Sequence, residues 1–205
     1  MGVTRTHDAT TAAQLLSSGG RLRRLAHDMV ASLEVSRVPT PRIVEGVSVE
    51  GVESDPKAIA IAASAATPPD HADHEIWLGV DRARYWKQLL AGEGSCGAVL
   101  PEPSRLLRSR DGEIVGVVVV AAMRVSDWWP GGPWIPEIFV VPDFQGRGLG
   151  GLLLDYAMEA CADAGHQRLG LTVTQGNPAQ RLYERFGFRT FRSTWFIEQG
   201  DVPGQ

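Results

Sequence analysis

The sequence predicts an α/β (α+β) domain, and three observations carry that prediction. Helix-spaced apolar segments alternate with short strand-like runs, residues 113–124 are strongly β-forming, and an apolar strand at 137–141 feeds a glycine-rich turn and a helix. With 205 residues, 43% of them apolar, the chain can bury one full core with a small appendage, but not two large domains.

Taken in order, residues 1–41 read as an N-terminal helical extension and linker. Leu22, Leu25, Met29 and Leu33 recur at helical spacing. The run Val38-Pro39-Thr40-Pro41 stops a helix, because proline cannot continue one and biases the residue before it towards extended backbone. A main domain is expected over 42–199, with a tail at 200–205. Within it, Ile43 to Val52 alternates like a strand, Asp55-Pro56 opens a helix running through Ala66, and Tyr85 to Leu90 reads as another. Strands are expected at Ser104–Arg108 and Glu113–Arg124 around an Asp111-Gly112 hairpin turn. Trp128 to Trp134, punctuated by proline and glycine, reads as a loop whose tryptophans cover the core more readily than they line a cleft.

Composition removes several function classes. A net charge of −4 offers no basic footprint for a phosphate backbone, so no nucleic-acid partner is expected. Cys96 and Cys161 stand far apart without CxxC spacing, which argues against a disulfide framework or a zinc-thiolate site and makes the cytoplasm the default. The apolar run Ile114–Met123 is half of the roughly 20 residues a membrane span needs, so no membrane association is expected. Asp70, His71, Asp73, His74 and Glu75 carry metal-ligating chemistry, but after Pro68-Pro69 they read as a solvated loop or helix start, and no metal is expected.

The chemistry concentrates between strand 137–141 and a helix at 149–164, where Gln145-Gly146-Arg147-Gly148-Leu149-Gly150 forms the connection. A glycine-rich turn entering a helix presents unpaired N–H groups and the positive end of the dipole, which suits an anionic phosphate. No GK[ST] follows, so the ATP-binding loop fails. Gly146, Gly148 and Gly151 satisfy GxGxxG literally, yet the next strand, Arg168–Thr174, ends in Thr174-Gln175-Gly176 with no carboxylate to hold a ribose. Downstream, Asn177 suits a helix N-cap, Pro178 a first helical residue, and Gly187 a helix stop.

Two motifs in order, Q-x-x-G-x-G at Gln145, Gly148 and Gly150 and then GNPAQRLYERFGF at 176–188, resemble the GNAT superfamily of N-acetyltransferases over roughly residues 113–198. The resemblance implies a mixed, mostly antiparallel central sheet flanked by helices, and acetyl-CoA as cosubstrate for transfer to the primary amine of a small-molecule or protein acceptor. It implies that Ile138, Phe139 and Val140 pair through their backbone with the pantetheine arm and that a backbone N–H near Val140 polarises the thioester carbonyl. Gln145, Gly146, Arg147, Gly148, Leu149, Gly150 and Gly151 would then hold the pyrophosphate, with Asn177 as a further coenzyme contact. In family members the asparagine lies seven residues before the tyrosine, where this chain has Gly176. Tyr183 is the implied general acid at the leaving sulfur, and Glu137, at the start of the coenzyme-facing strand, the candidate base. A homodimer is compatible with this reading, as is a non-catalytic acyl-CoA sensor on the same fold.

Overall fold

A computed structural model of the chain describes residues 2–33, 45–52 and 55–199. The linker expected around Val38–Pro41 and the tail at 200–205 lie outside those residues. The elements run β1 (Gly2–Thr6), α1 (Ala9–Ser17), β2 (Arg21–Ser32), β3 (Val47–Gly51), α2 (Pro56–Ala66), α3 (Arg82–Leu90), β4 (Arg105–Ser109), β5 (Ile114–Met123), β6 (Gly132–Val140), α4 (Leu149–Asp163), β7 (Arg168–Thr174), α5 (Ala179–Arg185) and β8 (Arg189–Gln199). Single 3₁₀ turns lie at His74–Trp77 and Pro142–Phe144.

The strands form one eight-stranded sheet in the order β1-β8-β2-β7-β6-β5-β4-β3. Every pairing is antiparallel except β6 with β7. Helices α4 and α5 pack on one face, where Leu149, Leu153, Leu154, Ala157 and Phe186 meet Val118, Val120 and Leu171. Helices α2 and α3 cover the other face, where Ile59 and Trp86 meet Val117 and Val119. Strand β5 is thus buried on both sides, which is why its sequence is a continuous apolar run rather than an alternation.

Local chemistry fixes the helix starts. Asp55 Oδ1 accepts from the Lys57 N–H at 2.9 Å with Pro56 in the first turn, and Asp81 Oδ1 accepts from the Arg84 N–H at 3.0 Å. Each such cap contributes about 1 kcal/mol. No described helix is long and apolar enough to cross a membrane.

The helix expected through Leu22, Leu25, Met29 and Leu33 is instead strand β2, inserted between β7 and β8. Residues 21–32 are therefore part of the sheet, and α1 is the only helix described before residue 34. Of the four residues at helical spacing, Leu22 is exposed and Leu25 partly buried, whereas Met29, Ala31 and Leu33 alternate into the core as a strand requires. Pairing with β7 on one side and β8 on the other, which the local spacing does not encode, makes the segment a strand.

The tryptophan loop is shorter than expected, because β6 begins at Gly132 and takes in Trp134. Trp129 and Trp134 are buried and meet edge to face with centroids 4.9 Å apart. Trp134 lies directly over Gly170, where any side chain would collide with its ring. These two tryptophans cover the sheet, while Trp128 stays partly exposed with the Arg192 guanidinium 4.1 Å above its ring.

Candidate active site

The site begins with a defect in strand pairing. On β6, Trp134 and Glu137 are three residues apart, yet they pair with Ala121 and Val119, two apart on β5. The extra residue, in the Ile135-Pro136 step, is a bulge that bends β6. Its parallel pairing with β7 accordingly stops after Trp134↔Gly170 and Ile135↔Leu171. Beyond that point the edge of β6 is open towards β7.

Which backbone groups face the opening follows from the ladder. Val141 donates its N–H to Val115 O at 2.9 Å, so by alternation Phe139 and Glu137 also turn their backbone groups to β5. The N–H groups of Ile138 and Val140 therefore face the gap. The Val140 carbonyl on that side is taken by Gln145 Nε2 at 2.9 Å, which fixes the start of the glycine turn against the strand end.

The turn itself is built from backbone. Gly146 and Gly148 adopt φ of +75° and +82°, a region that side-chain-bearing residues rarely enter. Gly148 stands at the N-cap of α4 with no side chain satisfying the first-turn N–H groups, so those donors and the helix dipole remain available to an anion. Arg147 folds back, its Nη2 donating to Asp143 O at 2.8 Å and its guanidinium 4.7 Å from the Phe144 ring centre. Leu149 and Gly151 are buried. Gly150 lets α4 approach α5, since a Cβ there would meet Leu182 Cδ2 at 3.0 Å.

Around the gap the structure gathers titratable groups from five segments. Glu137 faces α3 and accepts a 2.7 Å hydrogen bond from the Tyr85 hydroxyl. Although the residue is partly exposed, protein surrounds its carboxyl, and burial pushes its pKa up to about 7. The Tyr85 hydrogen bond and the Arg82 charge oppose that rise, and the Asp73 charge adds to it. Tyr183, on α5, is 6% exposed, and its hydroxyl makes no hydrogen bond among the described residues. Burial first, then the charges of Asp73 and Glu137, raise its pKa above that of an ordinary phenol. Burial likewise raises the Tyr85 hydroxyl and the Cys96 thiol.

Asn177 caps α5 through Oδ1, which accepts from the Ala179 N–H at 2.9 Å, while its Nδ2 donates to Asp73 Oδ2 at 2.9 Å. Tyr85, which bonds Glu137, and Asp73, which bonds Asn177, are groups at this gap that the sequence does not single out for it. Asp73 was visible only as part of the His/Asp-rich run, where it looked like a ligand or a solvated carboxylate. Among the described residues no group of three or more His, Cys, Asp or Glu has metal-holding geometry.

A sequence model of the acetyltransferase (GNAT) family matches residues 59–188 of this chain. The chain belongs to the GNAT acetyltransferase family. A Bacillus subtilis (strain 168) protein, provisionally named a ribosomal protein bS18-alanine N-acetyltransferase, is 34% identical over 70 residues. That match covers 33% of this chain and 46% of the relative. Among solved structures, a GCN5-related N-acetyltransferase from Sphaerobacter thermophilus superposes with a TM-score of 0.67 at 20% identity. It covers 99% of this GNAT chain and 61% of that one. A GCN5-related N-acetyltransferase from Kribbella flavida gives a TM-score of 0.52 at 18% identity, over 96% and 65% of the two chains. At these identities the likeness establishes the GNAT fold.

Proposed function

We propose that this chain transfers an acetyl group from acetyl-CoA directly to the primary amine of a small-molecule or protein acceptor, without a covalent enzyme intermediate. One observation carries the reading: β6 leaves β7 after Ile135, and the edge so exposed runs straight into an uncapped glycine turn at the start of α4. A pantetheine arm is a chain of amides that can pair with such an edge, and its pyrophosphate suits such a helix start. The residues that would hold it are Ile138 and Val140 through backbone, and Gln145 to Gly151 at the pyrophosphate, with Asn177 as a neighbouring contact; Phe139, expected with them, has its backbone groups turned to β5 instead.

The side chains fit the rest of the reaction. Glu137, with a pKa about 7, accepts the proton of an alkylammonium as the amine becomes a nucleophile. The Val140 N–H stabilises the negative charge that develops on the thioester oxygen when nitrogen attacks the carbonyl carbon. As the carbon–sulfur bond breaks, Tyr183 donates a hydrogen bond to the departing sulfur. Its raised pKa keeps the phenol protonated as the thiolate leaves. A proton that Tyr183 hands to sulfur is made good by the one the attacking nitrogen sheds as the amide forms, while the first ammonium proton rests on Glu137. The products are the amide and free coenzyme A.

A thermal-shift comparison of acetyl-CoA with NAD tests binding, and an amine panel read by thiol release tests transfer. Stabilisation by acetyl-CoA with amine-dependent thiol release is expected. Stabilisation by NAD alone overturns the reading, and acetyl-CoA binding without release by any amine reduces it to a sensor.

A further inference from the structure

Beside Glu137 and Tyr183, the segment between α2 and α3 is tied down by a chain of hydrogen bonds that crosses three other elements. Arg24, on β2, donates from Nε to Thr174 Oγ1 at 2.8 Å. Thr174, the last residue of β7, gives its hydroxyl proton to Asp73 Oδ1, and Asn177 Nδ2 donates to Asp73 Oδ2 at 2.9 Å. Donors and acceptors match throughout, since a hydroxyl has one proton to give and can accept another. Residues 101 and 104 positions downstream thus hold one carboxylate of the α2–α3 segment at the end of β7 and the first turn of α5.

The carboxylate is not consumed by an ion pair. Among the described residues its single ion-pair neighbour is His71, whose Nδ1 lies 3.9 Å from Oδ2. That nitrogen accepts the Asp73 N–H at 3.1 Å, and at 3.9 Å it is beyond hydrogen-bond reach of the carboxylate. Arg24 is the counter-charge, and it acts through Thr174. The negative charge of Asp73 reaches both Glu137 and Tyr183.

We propose that Asp73 is a positioning residue for the acceptor: it clasps the α2–α3 segment to β7 and α5, and its carboxylate draws an amine that is protonated in solution towards Glu137. This rests on the acetyl-transfer reading and narrows it, since the favoured substrate class is the alkylammonium rather than a neutral hydroxyl or arylamine. Arg24 and Thr174 act through Asp73, so strand β2, which precedes the family match at 59–188, contributes to the acceptor half of the site.

The test uses Asp73→Asn, Asp73→Ala and Thr174→Val in the full chain, with steady-state kinetics on the best amine of the panel and amide hydrogen exchange over residues 70–78. In Asp73→Asn the amine KM is expected to rise about tenfold while the acetyl-CoA KM stays within about twofold. The acid limb of its kcat/KM profile moves to lower pH, because a charge that raised the Glu137 pKa is gone. Asp73→Ala and Thr174→Val are expected to speed exchange over 70–78 and leave α4 protected. Unchanged amine KM, or a rise confined to acetyl-CoA KM, overturns the acceptor role, and unchanged exchange overturns the clasp. Should no amine be turned over by the unaltered protein, the acetyl-transfer reading and the acceptor role fall together, and exchange then reports on the clasp alone.

Discussion

The Tyr85 hydroxyl donates a 2.7 Å hydrogen bond to Glu137 Oε1, joining α3 to the bulged strand at the point where β6 leaves β7. The bond stabilises the ionised carboxylate against the burial that raises its pKa. Tyr85→Phe removes the donor, so the Glu137 pKa rises above about 7. The acid limb of kcat/KM against pH is expected to move upward, and a limb that stays in place or moves down contradicts the contact.

Glu137→Gln is expected to abolish that acid limb together with most of the turnover. It also has a signature in stability. The native carboxyl holds its proton more tightly than the ordinary value of 4.5, so the wild-type protein loses stability as pH rises from about 4.5 to about 7, and the loss is complete above that window. The full effect is on the order of 3 kcal/mol. Glutamine keeps an acceptor for Tyr85 and carries no charge, so the variant should gain stability over wild type at pH 8 and much less at pH 5. Denaturant melts at the two pH values measure this, and equal differences at both count against a raised native pKa.

Tyr183→Phe keeps the buried ring against Phe188, whose centroid lies 6.0 Å away, and removes a hydroxyl that makes no described hydrogen bond. Folding stability should change little, whereas kcat should fall roughly a hundredfold with little change in acetyl-CoA KM. Full turnover at saturating substrates would remove Tyr183 from the mechanism.

Gly148→Ala places a Cβ on a residue at φ +82° with open space around it, so the cost is backbone strain of about 1 kcal/mol rather than a clash. Because that residue opens the turn at the α4 N-terminus, the thermal shift produced by acetyl-CoA should shrink by more than the loss in unliganded Tm. An undiminished shift would separate the turn from the coenzyme.

The sequence and the structure agree best where local chemistry decides. Strand β7 matches residue for residue, and α2 starts at Pro56 and ends at Ala66 as its cap and its terminating Thr67-Pro68 dictate. The glycine turn was legible for the same reason, since Gly146 and Gly148 need their positive φ whatever surrounds them. Strand β2 was not, because what makes it a strand is pairing with residues 168–174 and 189–198, far along the chain. Nor was the clasp: nothing near Asp73 encodes that Thr174 and Asn177 will close on it. Glu137 reads as the start of a strand, but β6 begins at Gly132 and holds it in its interior. Its raised pKa comes from burial in the folded chain, with the Asp73 charge adding to it.

The insertion of β2 between β7 and β8 also sets a timetable for synthesis. About 135 residues separate the end of β2 from the start of β7. At roughly 5–20 residues per second, that strand waits on the order of ten seconds or more on the ribosome before either of its partners exists. An unpaired strand invites foreign pairing in that interval. Its arginines, Arg21, Arg23 and Arg24, sit where their repulsion discourages association with another nascent copy until β7 and β8 arrive.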